Sequence, residues 1–258
     1  MERYGISEIA VIAVRIEPSE KSEMVTQILF GEVFKIIGES ENWYQVELLF
    51  DNYQGWIDKK AATLIDFADL NSLQNNYNET VKNAVSTISS IDNNESIRVS
   101  IGSSLPFYNK NDGSFHINKH KYKLENFKSN TDLSISEYAL TLLNTPYLWG
   151  GKNPFGIDCS GFVQIVFKAA GIIMPRDASQ QVTIGKTIEF FDEIKPGDLA
   201  FFDNEEGKII HVGILISTNE IIHASGKVRI DSIDHQGIFN KELKDYTHKL
   251  RIIKRTHP

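Results

Sequence analysis

Residues 145–171 decide how the second half of the chain folds, and they read TPYLWGGKNPFGIDCSGFVQIVFKAAG. Glycine and proline between positions 150 and 156 predict a loop. Apolar side chains then recur at positions 162, 165, 166 and 169, which is the spacing of one face of a helix. Gly171 follows, where a helix commonly ends with a left-handed residue. The stretch therefore predicts a loop that leads into a helix.

The single cysteine of the chain lies at the predicted start of this helix. Asp158 is placed as the N-cap, because its carboxylate can accept hydrogen bonds from the free amides of the first turn. Cys159 is then the first helical residue, where the positive end of the helix dipole favours a thiolate. We therefore expect Cys159 to be an accessible nucleophile with a lowered pKa. A buried structural thiol is the alternative that this residue alone leaves open.

Two histidines lie on strands predicted downstream. His211 begins the run HVGILI, and His223 lies in EIIHAS, twelve residues later. If the hairpin between these strands is centred on Ser217, the two imidazoles lie side by side. A thiol, a histidine base and a polar group that orients the base would together form a catalytic triad. The remaining histidines are expected at the surface or in local hydrogen bonds: His116, His120, His235, His248 and His257.

The first 66 residues consist of short runs rich in β-branched and aromatic side chains, separated by turn residues. Trp43–Leu49 alternates with the period of two that is typical of a half-buried strand. Several short strands with regular turns favour a small barrel or sandwich. The predicted strands are Val11–Ile16, Met24–Leu29, Glu32–Ile37, Trp43–Leu49 and one that starts at Trp56.

The middle of the chain is harder to assign. Residues 67–96 predict a linker or a short helix over Thr80–Ile91, and alternating segments follow between 97 and 127. These segments, Ile97–Ile101, Leu105–Tyr108, Phe115–Ile117 and Tyr122–Leu124, predict a second small β unit. Asn111-Asp112-Gly113 predicts a hairpin turn between the second and third of them. Ile135–Leu143 has helical spacing, with Ser134 or Ser136 as its cap.

The overall composition excludes several classes of protein. The chain has 258 residues and a net charge of −7, which argues against a general nucleic-acid binder. One cysteine cannot form an internal disulfide. The sequence MERYGISEIAVIAVRIEPSE lacks the pattern of a signal peptide, and no apolar run is long enough for a membrane helix. We therefore expect a cytoplasmic protein with neither a nucleic-acid nor a membrane partner.

From about residue 130 to 258 the chain resembles NlpC/P60 peptidases, which are papain-related. The motifs occur in order: PYLWGG (146–151), DCSGFV (158–163), PRDASQQ (175–181), KPGDLAFF (195–202), HVGIL (211–215) and IIHAS (221–225). The resemblance implies that Cys159 is the nucleophile, His211 the general base and His223 the third polar residue. It implies an α+β fold in which a papain-like catalytic domain occupies residues 128–258.

Residues 14–57 resemble a bacterial SH3 domain, through VRIEPSEKSEMVTQILFGE (14–32) and ENWYQVELLFDNYQGWI (41–57). A generic β-barrel spacer is the alternative. We predict an SH3-like barrel over 1–66, then a linker and a second SH3-like β unit over 67–127. The combination with an NlpC/P60 domain resembles enzymes in which the SH3 domain closes one end of the cleft.

The resemblance also implies a substrate. Such enzymes cut the bond between γ-linked D-glutamate and a diamino acid, in murein stem peptides whose N-terminal L-alanine is free, during cell-wall recycling. Tyr147, Ser160 and Ser179 match positions on the substrate side of this family, and Asp158 offers an anion to the free ammonium group. Tyr53 is a candidate for the cleft wall. Arg176 could face a substrate carboxylate, although a surface salt bridge is favoured.

The predicted reaction is acyl transfer from Cys159 to water, with the Cys159 amide in the oxyanion hole. No metal or other cofactor is expected, because the chain lacks a second cysteine, an HExxH motif and a phosphate-binding loop. Three alternatives remain open: a binding module with an inactive catalytic domain, an acyltransferase or amidase on the same scaffold, and a hydrolase of intact peptidoglycan. The complete set of Cys159, His211 and His223 argues against the first of these.

Overall fold

The computed structural model describes residues 2–66, 70, 79–93, 95–125, 127 and 133–256. The chain forms two compact units, Met1–Thr131 and Asp132–Pro258. Among the described residues, no helix combines the length and the apolar character that a membrane crossing requires. The architecture is rich in strands and has few helices, and it is the α+β fold that the sequence predicts.

The first unit begins with a seven-stranded antiparallel sheet in the order β3-β2-β6-β5-β4-β1-β7. Its inward side chains alternate along each strand, as at Ile12 and Val14 of β2, and form one core with Phe34 and Val46. The four complete strands predicted here are confirmed to within about two residues at their ends. The strands are β1 (Arg3–Ile6), β2 (Val11–Arg15), β3 (Met24–Leu29), β4 (Val33–Glu39), β5 (Trp43–Leu48), β6 (Gln54–Asp58) and β7 (Thr63–Ile65).

A four-stranded sheet in the order β10-β11-β8-β9 completes the first unit. Its core is shared with the first sheet, and the Phe30 ring meets the Tyr122 ring edge to face, with 5.5 Å between their centroids. The helix predicted over Thr80–Ile91 is wrong, because β8 occupies half of that range and pairs with β9. The strands are β8 (Val85–Ser90), β9 (Ser96–Ser100), β10 (Ser114–Ile117) and β11 (His120–Leu124).

The prediction of a strand over Leu105–Tyr108 is also wrong, since this segment adopts turns. A turn does form before β10, where the Gly113 amide donates to the Asn109 carbonyl at 2.9 Å. The hairpin itself, however, joins β10 to β11 through Asn118, whose positive φ of 50° suits a tight turn. The turn predicted at Asn111-Asp112-Gly113 is therefore present, but the prediction that it forms a hairpin between two strands is wrong.

The second unit is built around a seven-stranded antiparallel sheet in the order β14-β20-β15-β16-β17-β18-β19. Because β19 also pairs with β20, six of these strands close into a barrel. The sheet consists of β14 (Lys186–Ile188), β15 (Leu199–Asp203), β16 (Ile209–Leu215), β17 (Glu220–Ser225), β18 (Lys227–Ile233), β19 (Gly237–Asn240) and β20 (Asp245–Arg255). A short ribbon, β12 (Lys152–Asn153) with β13 (Gly156–Ile157), precedes the main helix.

Three helices accompany the barrel: α1 (Ile135–Leu140), α2 (Cys159–Ala169) and α3 (Ala178–Gln181). Ser134 caps α1 through a reciprocal capping box with Glu137, which confirms one of the two predicted caps. Helix α2 begins at the predicted residue, and Gly171 follows it with φ of +80°. All eleven residues of α2 are buried, so this helix lies in the interior, whereas its spacing predicted a single apolar face.

Candidate active site

The start of helix α2 holds Cys159 in place. Asp158 caps the helix by accepting a hydrogen bond from the Gly161 amide at 2.7 Å, which confirms its predicted capping role. Its other oxygen accepts from the Gly150 amide at 2.9 Å and thereby ties the preceding loop to the helix. A side chain at Gly161 would meet the Gly151 carbonyl oxygen at 2.4 Å, so only glycine permits this close approach. The loop and the helix start thus form one rigid support for the thiol.

Cys159 is buried, with 8% of its surface exposed, and so the expectation of an accessible thiol is wrong. Burial and then the negative charge of Asp158 raise the pKa of the Cys159 thiol to about 11. Hydrogen bonds from the Val212 and Ser160 amides and the charge of Arg176 oppose this rise without cancelling it. The expected lowering by the helix N-terminus is therefore outweighed. In the free protein the resting nucleophile is a neutral thiol.

The Val212 contact brings the sulfur to strand β16, next to His211. Burial, followed by the charges of His223 and His248, lowers the pKa of His211 well below its ordinary value. Nε2 of His211 lies 2.9 Å from Nδ1 of His223. Since Nε2 is engaged with His223, Nδ1 is the ring nitrogen of His211 that remains for proton exchange with a thiol.

A carboxylate extends this pair into a relay. Nε2 of His223 lies 3.1 Å from Oδ2 of Asp231. Burial alone would raise the pKa of Asp231, but hydrogen bonds from His223 and Arg229 outweigh it and leave the pKa lowered. An ionised Asp231 can only accept, so His223 carries its proton on Nε2, and its Nδ1 accepts from Nε2–H of His211. These two bonds leave the lone pair on Nδ1 of His211, as a general base requires.

Arg229 holds Asp231 in turn. Its Nε lies 2.7 Å from Oδ2 of Asp231, and its NH2 group donates to Oδ1 at 3.0 Å. Neither Arg229 nor Asp231 was predicted as a site residue. Gly226 offered a signal, because a turn centred there pairs His223 with Arg229 and places Asp231 two residues further along the same face.

The register between β16 and β17 differs from the expected one. Gly213 pairs with His223, and Leu215 with Ile221, so the hairpin is centred on Thr218 and not on Ser217. His211 and His223 are therefore diagonal neighbours. Gly213 makes this diagonal contact possible, because a Cβ there would lie 2.8 Å from Cβ of His223. Because Gly213 has no side chain, there is space for the His211 and His223 rings to come into contact.

His248 belongs to the same cluster, although a surface or local setting was expected for it. Its ring stacks on His211 with 4.2 Å between centroids, and it lies 5.7 Å from the His223 ring. Burial, and then the charge of His223, lower the pKa of His248 to about 4. No local pattern indicates this contact, because β20 comes from the far end of the chain and meets the site only when the barrel closes.

The other histidines expected at the surface or in local hydrogen bonds have local partners, are exposed, or lie outside the described residues. His116 stacks on Phe107 with 4.3 Å between ring centroids, and Nδ1 of His120 lies 2.8 Å from Oε1 of Glu8. His235 is exposed, and His257 lies outside the described part of the chain.

A second buried network surrounds Asp158. Arg176 is fully buried and donates to both carboxylate oxygens of Asp158, at 3.0 Å and 2.5 Å. It also donates to the Ser160 hydroxyl at 2.9 Å. The surface salt bridge favoured for Arg176 is therefore wrong. The oxygens of Asp158 accept from Arg176 and from the Gly150 and Gly161 amides, so a substrate ammonium group would share this carboxylate with Arg176.

The remaining predicted substrate residues occupy separate settings. Tyr147 lies near the thiol, since burial and then the charges of Cys159 and Asp158 raise its pKa to about 12. Ser160 is buried beside Arg176, whereas Ser179 is exposed on α3. Tyr53 lies in the first unit, where it lines a cavity of about 230 Å³ with Trp56.

Comparisons with known proteins identify relatives of both regions of the chain. Residues 144–247 match the NlpC/P60 family, and residues 14–61 match the bacterial dipeptidyl-peptidase Sh3 domain. The γ-D-glutamyl-L-lysine dipeptidyl-peptidase of Bacillus subtilis is 30% identical over 241 residues, which cover 84% of this chain and 78% of that protein. The probable endopeptidase p60 of Listeria welshimeri is 41% identical over 96 residues, which cover 37% of this chain and 18% of that protein.

A solved structure has the same fold. The NlpC/P60 family protein from Bacillus cereus superposes with a TM-score of 0.82 at 19% identity, over 99% of this chain and all of the other. The first unit matches a bacterial SH3 domain in sequence, and the second matches the NlpC/P60 family. The fold of the whole chain agrees with that of an NlpC/P60 family protein.

Proposed function

The chain belongs to the NlpC/P60 family of cysteine peptidases, and from this premise we propose that it cleaves γ-D-glutamyl–diamino acid bonds in released murein peptides. The proposed substrate carries a free N-terminal L-alanine, and the products are L-Ala-γ-D-Glu and the free diamino acid. The setting we propose is the recycling of cell-wall peptides in the cytoplasm.

One observation carries the choice of substrate. The dipeptidyl-peptidase of B. subtilis aligns over 84% of this chain, a span that includes both the SH3 and the peptidase region. The p60 endopeptidase aligns over 37%. The likeness to a named γ-D-glutamyl-L-lysine dipeptidyl-peptidase therefore extends to the non-catalytic part of the chain. The net charge of −7 also favours small released peptides over the anionic wall polymer.

In the proposed mechanism the thiol of Cys159 gives its proton to Nδ1 of His211 as the sulfur attacks the γ-glutamyl carbonyl carbon. Because the resting thiol and imidazole are both neutral, this transfer accompanies the attack and creates no charge beforehand. The Cys159 amide, one of the first-turn donors without an intrahelical acceptor, is placed to bind the developing oxyanion. His211 then protonates the amine of the diamino acid, which leaves as a thioester forms.

The second half of the reaction reverses these roles. Neutral His211 takes a proton from a water molecule, whose oxygen attacks the thioester carbonyl and releases the dipeptide from Cys159. Each time His211 is protonated, its positive charge is shared along the bonds to His223 and the ionised Asp231. Asp231 stabilises the imidazolium and fixes its orientation without taking the proton.

We propose that the free ammonium group of L-alanine binds near Tyr147, Asp158 and Ser160. Asp158 is already neutralised by Arg176, so it contributes a hydrogen-bonded, oriented carboxylate and not a free charge. The charges of Cys159 and Asp158 both raise the pKa of Tyr147, which supports a position of its hydroxyl oxygen near this group. A substrate-side role for Ser179 and a place in the cleft wall for Tyr53 stay predictions.

The test compares L-Ala-γ-D-Glu-L-Lys with the same peptide acetylated on its N-terminus. The expected result is that kcat/KM falls at least about 100-fold on acetylation, because a buried site then lacks its charged hydrogen-bond partner. An N-methylated peptide, which keeps the positive charge and adds bulk, serves as the matched control. Equal rates on the free and acetylated peptides would reject this proposal and favour a hydrolase of the intact wall.

A further inference from the structure

The cluster of three imidazoles offers metal ligands, which peptide hydrolysis does not require. His211, His223 and His248 each offer one ring nitrogen, and these nitrogens all lie within 4.8 Å of one another. Zinc binds histidine nitrogen at about 2.0–2.1 Å, so two such ligands in a tetrahedral site lie about 3.3 Å apart. The His211–His223 separation of 2.9 Å is close to this value. The His248 ring stacks on His211 with 4.2 Å between centroids, so a rotation of this ring would complete a site for one ion.

The surroundings of His223 match what a zinc ligand needs. A histidine that binds zinc usually donates its other ring N–H to a carboxylate, which fixes the tautomer and the ring orientation. Asp231 already holds Nε2 of His223 in this way, and Arg229 holds Asp231. The ligand nitrogen Nδ1 of His223 is thus oriented before any metal binds.

A cavity gives a cation access to His248. This cavity has a volume of about 490 Å³, and its lining includes Asp203 and Glu205 as well as His248. The Asp203 side chain is 6% exposed, and among the described residues its Oδ1 atom is buried without a hydrogen-bond partner. A buried carboxylate oxygen that lacks a donor attracts a positive ion. Asp203 and Glu205 favour the entry of a divalent cation beside the histidines, although Lys249 also lines the cavity and Oδ2 of Asp203 lies 3.6 Å from Nε of Arg251.

We propose that His211, His223 and His248 bind a zinc ion, and that the bound ion reversibly inhibits the peptidase. Imidazole nitrogen suits zinc and copper among the divalent metals, and three histidines with an open fourth position form a common zinc site. Zinc on Nε2 of His211 displaces the proton from that nitrogen, and the neutral ring then carries its proton on Nδ1, so the lone pair that the base needs is lost. The inhibition rests on the role of His211 in the proposed function, whereas the binding does not.

Binding is measured first, in the untagged full chain with Cys159→Ala, which removes the one thiol that could compete for zinc. Competition with a chromophoric chelator is expected to give one zinc ion per chain. Adding His248→Phe keeps an aromatic ring against His211 but removes the nitrogen, and we expect the zinc affinity to fall at least about tenfold. No binding in Cys159→Ala, or unchanged affinity after His248→Phe, would overturn the proposal.

Inhibition is measured next, in the otherwise unchanged chain. Zinc is expected to inhibit hydrolysis, a chelator to restore it, and His248→Phe to move the midpoint to a zinc concentration at least about tenfold higher. His248→Gln serves as a second variant in case the phenylalanine disturbs folding. Equal zinc sensitivity in both variants and the parent would assign inhibition to Cys159 instead. If zinc binds through His248 but the murein peptide is not cut, the proposed function alone fails.

Discussion

Two of the buried Asp–Arg pairs in the second unit, Asp158–Arg176 and Asp231–Arg229, have different roles. Asp158 pairs with Arg176, whose side chain is 1% exposed, and both carboxylate oxygens also accept backbone amides from the loop and the helix. Asp231 pairs with Arg229, whose side chain is 20% exposed, and Oδ2 also bonds His223. The first carboxylate is committed to structure, whereas the second passes its charge to an imidazole.

This difference shows why an acidic residue next to a nucleophile need not be the one that activates it. Asp158 is adjacent to Cys159 in sequence, yet its charge raises the pKa of the thiol and so disfavours the thiolate. Asp231 is 72 residues away in sequence, and it sets the proton positions along the histidine pair. Chemical support for Cys159 therefore comes from the barrel and mechanical support from the helix start.

Replacing Asp231, whose carboxylate accepts a hydrogen bond from His223, should have the largest effect on kcat. In Asp231→Asn the amide can donate to Nε2 of His223, which moves the His223 proton to Nδ1 and leaves His211 with a proton facing the thiol. We expect kcat to fall by about 10³–10⁴-fold, as for the wrong tautomer in other triads, with a small change in KM. Steady-state kinetics checks this, with Arg229→Gln as the matched variant that keeps the carboxylate. A kcat within threefold of the parent would contradict the relay.

Breaking the structural pair should instead cost stability. Arg176→Met leaves Asp158 buried and unpaired, which typically costs about 3–5 kcal/mol. Hydrogen exchange followed by mass spectrometry is expected to show protection of the α2 amides reduced by about 100-fold or more. The double variant Asp158→Asn/Arg176→Met removes both charges and should recover part of this loss. If Arg176→Met leaves α2 as protected as in the parent, the pair does not hold the helix start.

The raised pKa of the thiol can be tested through its reactivity. Cys159 is the only cysteine, so iodoacetamide reports on this thiolate alone. Well below a pKa of about 11 the thiolate fraction rises tenfold with each pH unit, so alkylation should accelerate about 100-fold between pH 7 and 9. A model thiol such as glutathione, measured alongside, corrects for the reagent. A constant rate across this range would instead indicate a resting thiolate–imidazolium pair.

The smallest effect on kcat is expected from a substitution at Gly213 of β16, which lies beside the contact between His211 and His223. Gly213→Ala places a Cβ 2.8 Å from Cβ of His223 and 2.7 Å from Ile221 Cδ1. We expect His223 to move away from His211 and kcat to fall by about 10- to 100-fold, because small misplacements at catalytic groups are costly. Ile214→Val, on the neighbouring position of β16, is the matched control. A parental kcat in Gly213→Ala would show that the diagonal contact tolerates displacement.

Much of this arrangement could be predicted from local sequence. The cap at Asp158, the start of α2 at Cys159, Gly171 after the helix and most strands of the first sheet follow from short-range rules of capping and periodicity. The motif order also identified the family and the fold. These features depend on neighbours within one turn or one strand, which a single sequence displays directly.

The rest depends on long-range contacts that the sequence does not display. The Thr218 centre of the β16–β17 hairpin follows from packing, and a shift of one residue changes which side chains meet. Burial of Cys159 and Arg176 depends on the whole fold around α2, so it overruled the local expectation for both. His248 reaches the site only because β19 and β20 close the barrel.

The most direct test of the central claim is hydrolysis of L-Ala-γ-D-Glu-L-Lys by the parent chain and by Cys159→Ala, with products identified by mass spectrometry. We expect the parent to release free L-lysine and L-Ala-γ-D-Glu. In Cys159→Ala we expect the rate of hydrolysis to fall by about 10⁵-fold or more, as when other covalent nucleophiles are removed, with an unchanged circular dichroism spectrum. Appreciable turnover by Cys159→Ala would contradict the assignment of the nucleophile and the chemistry built on it.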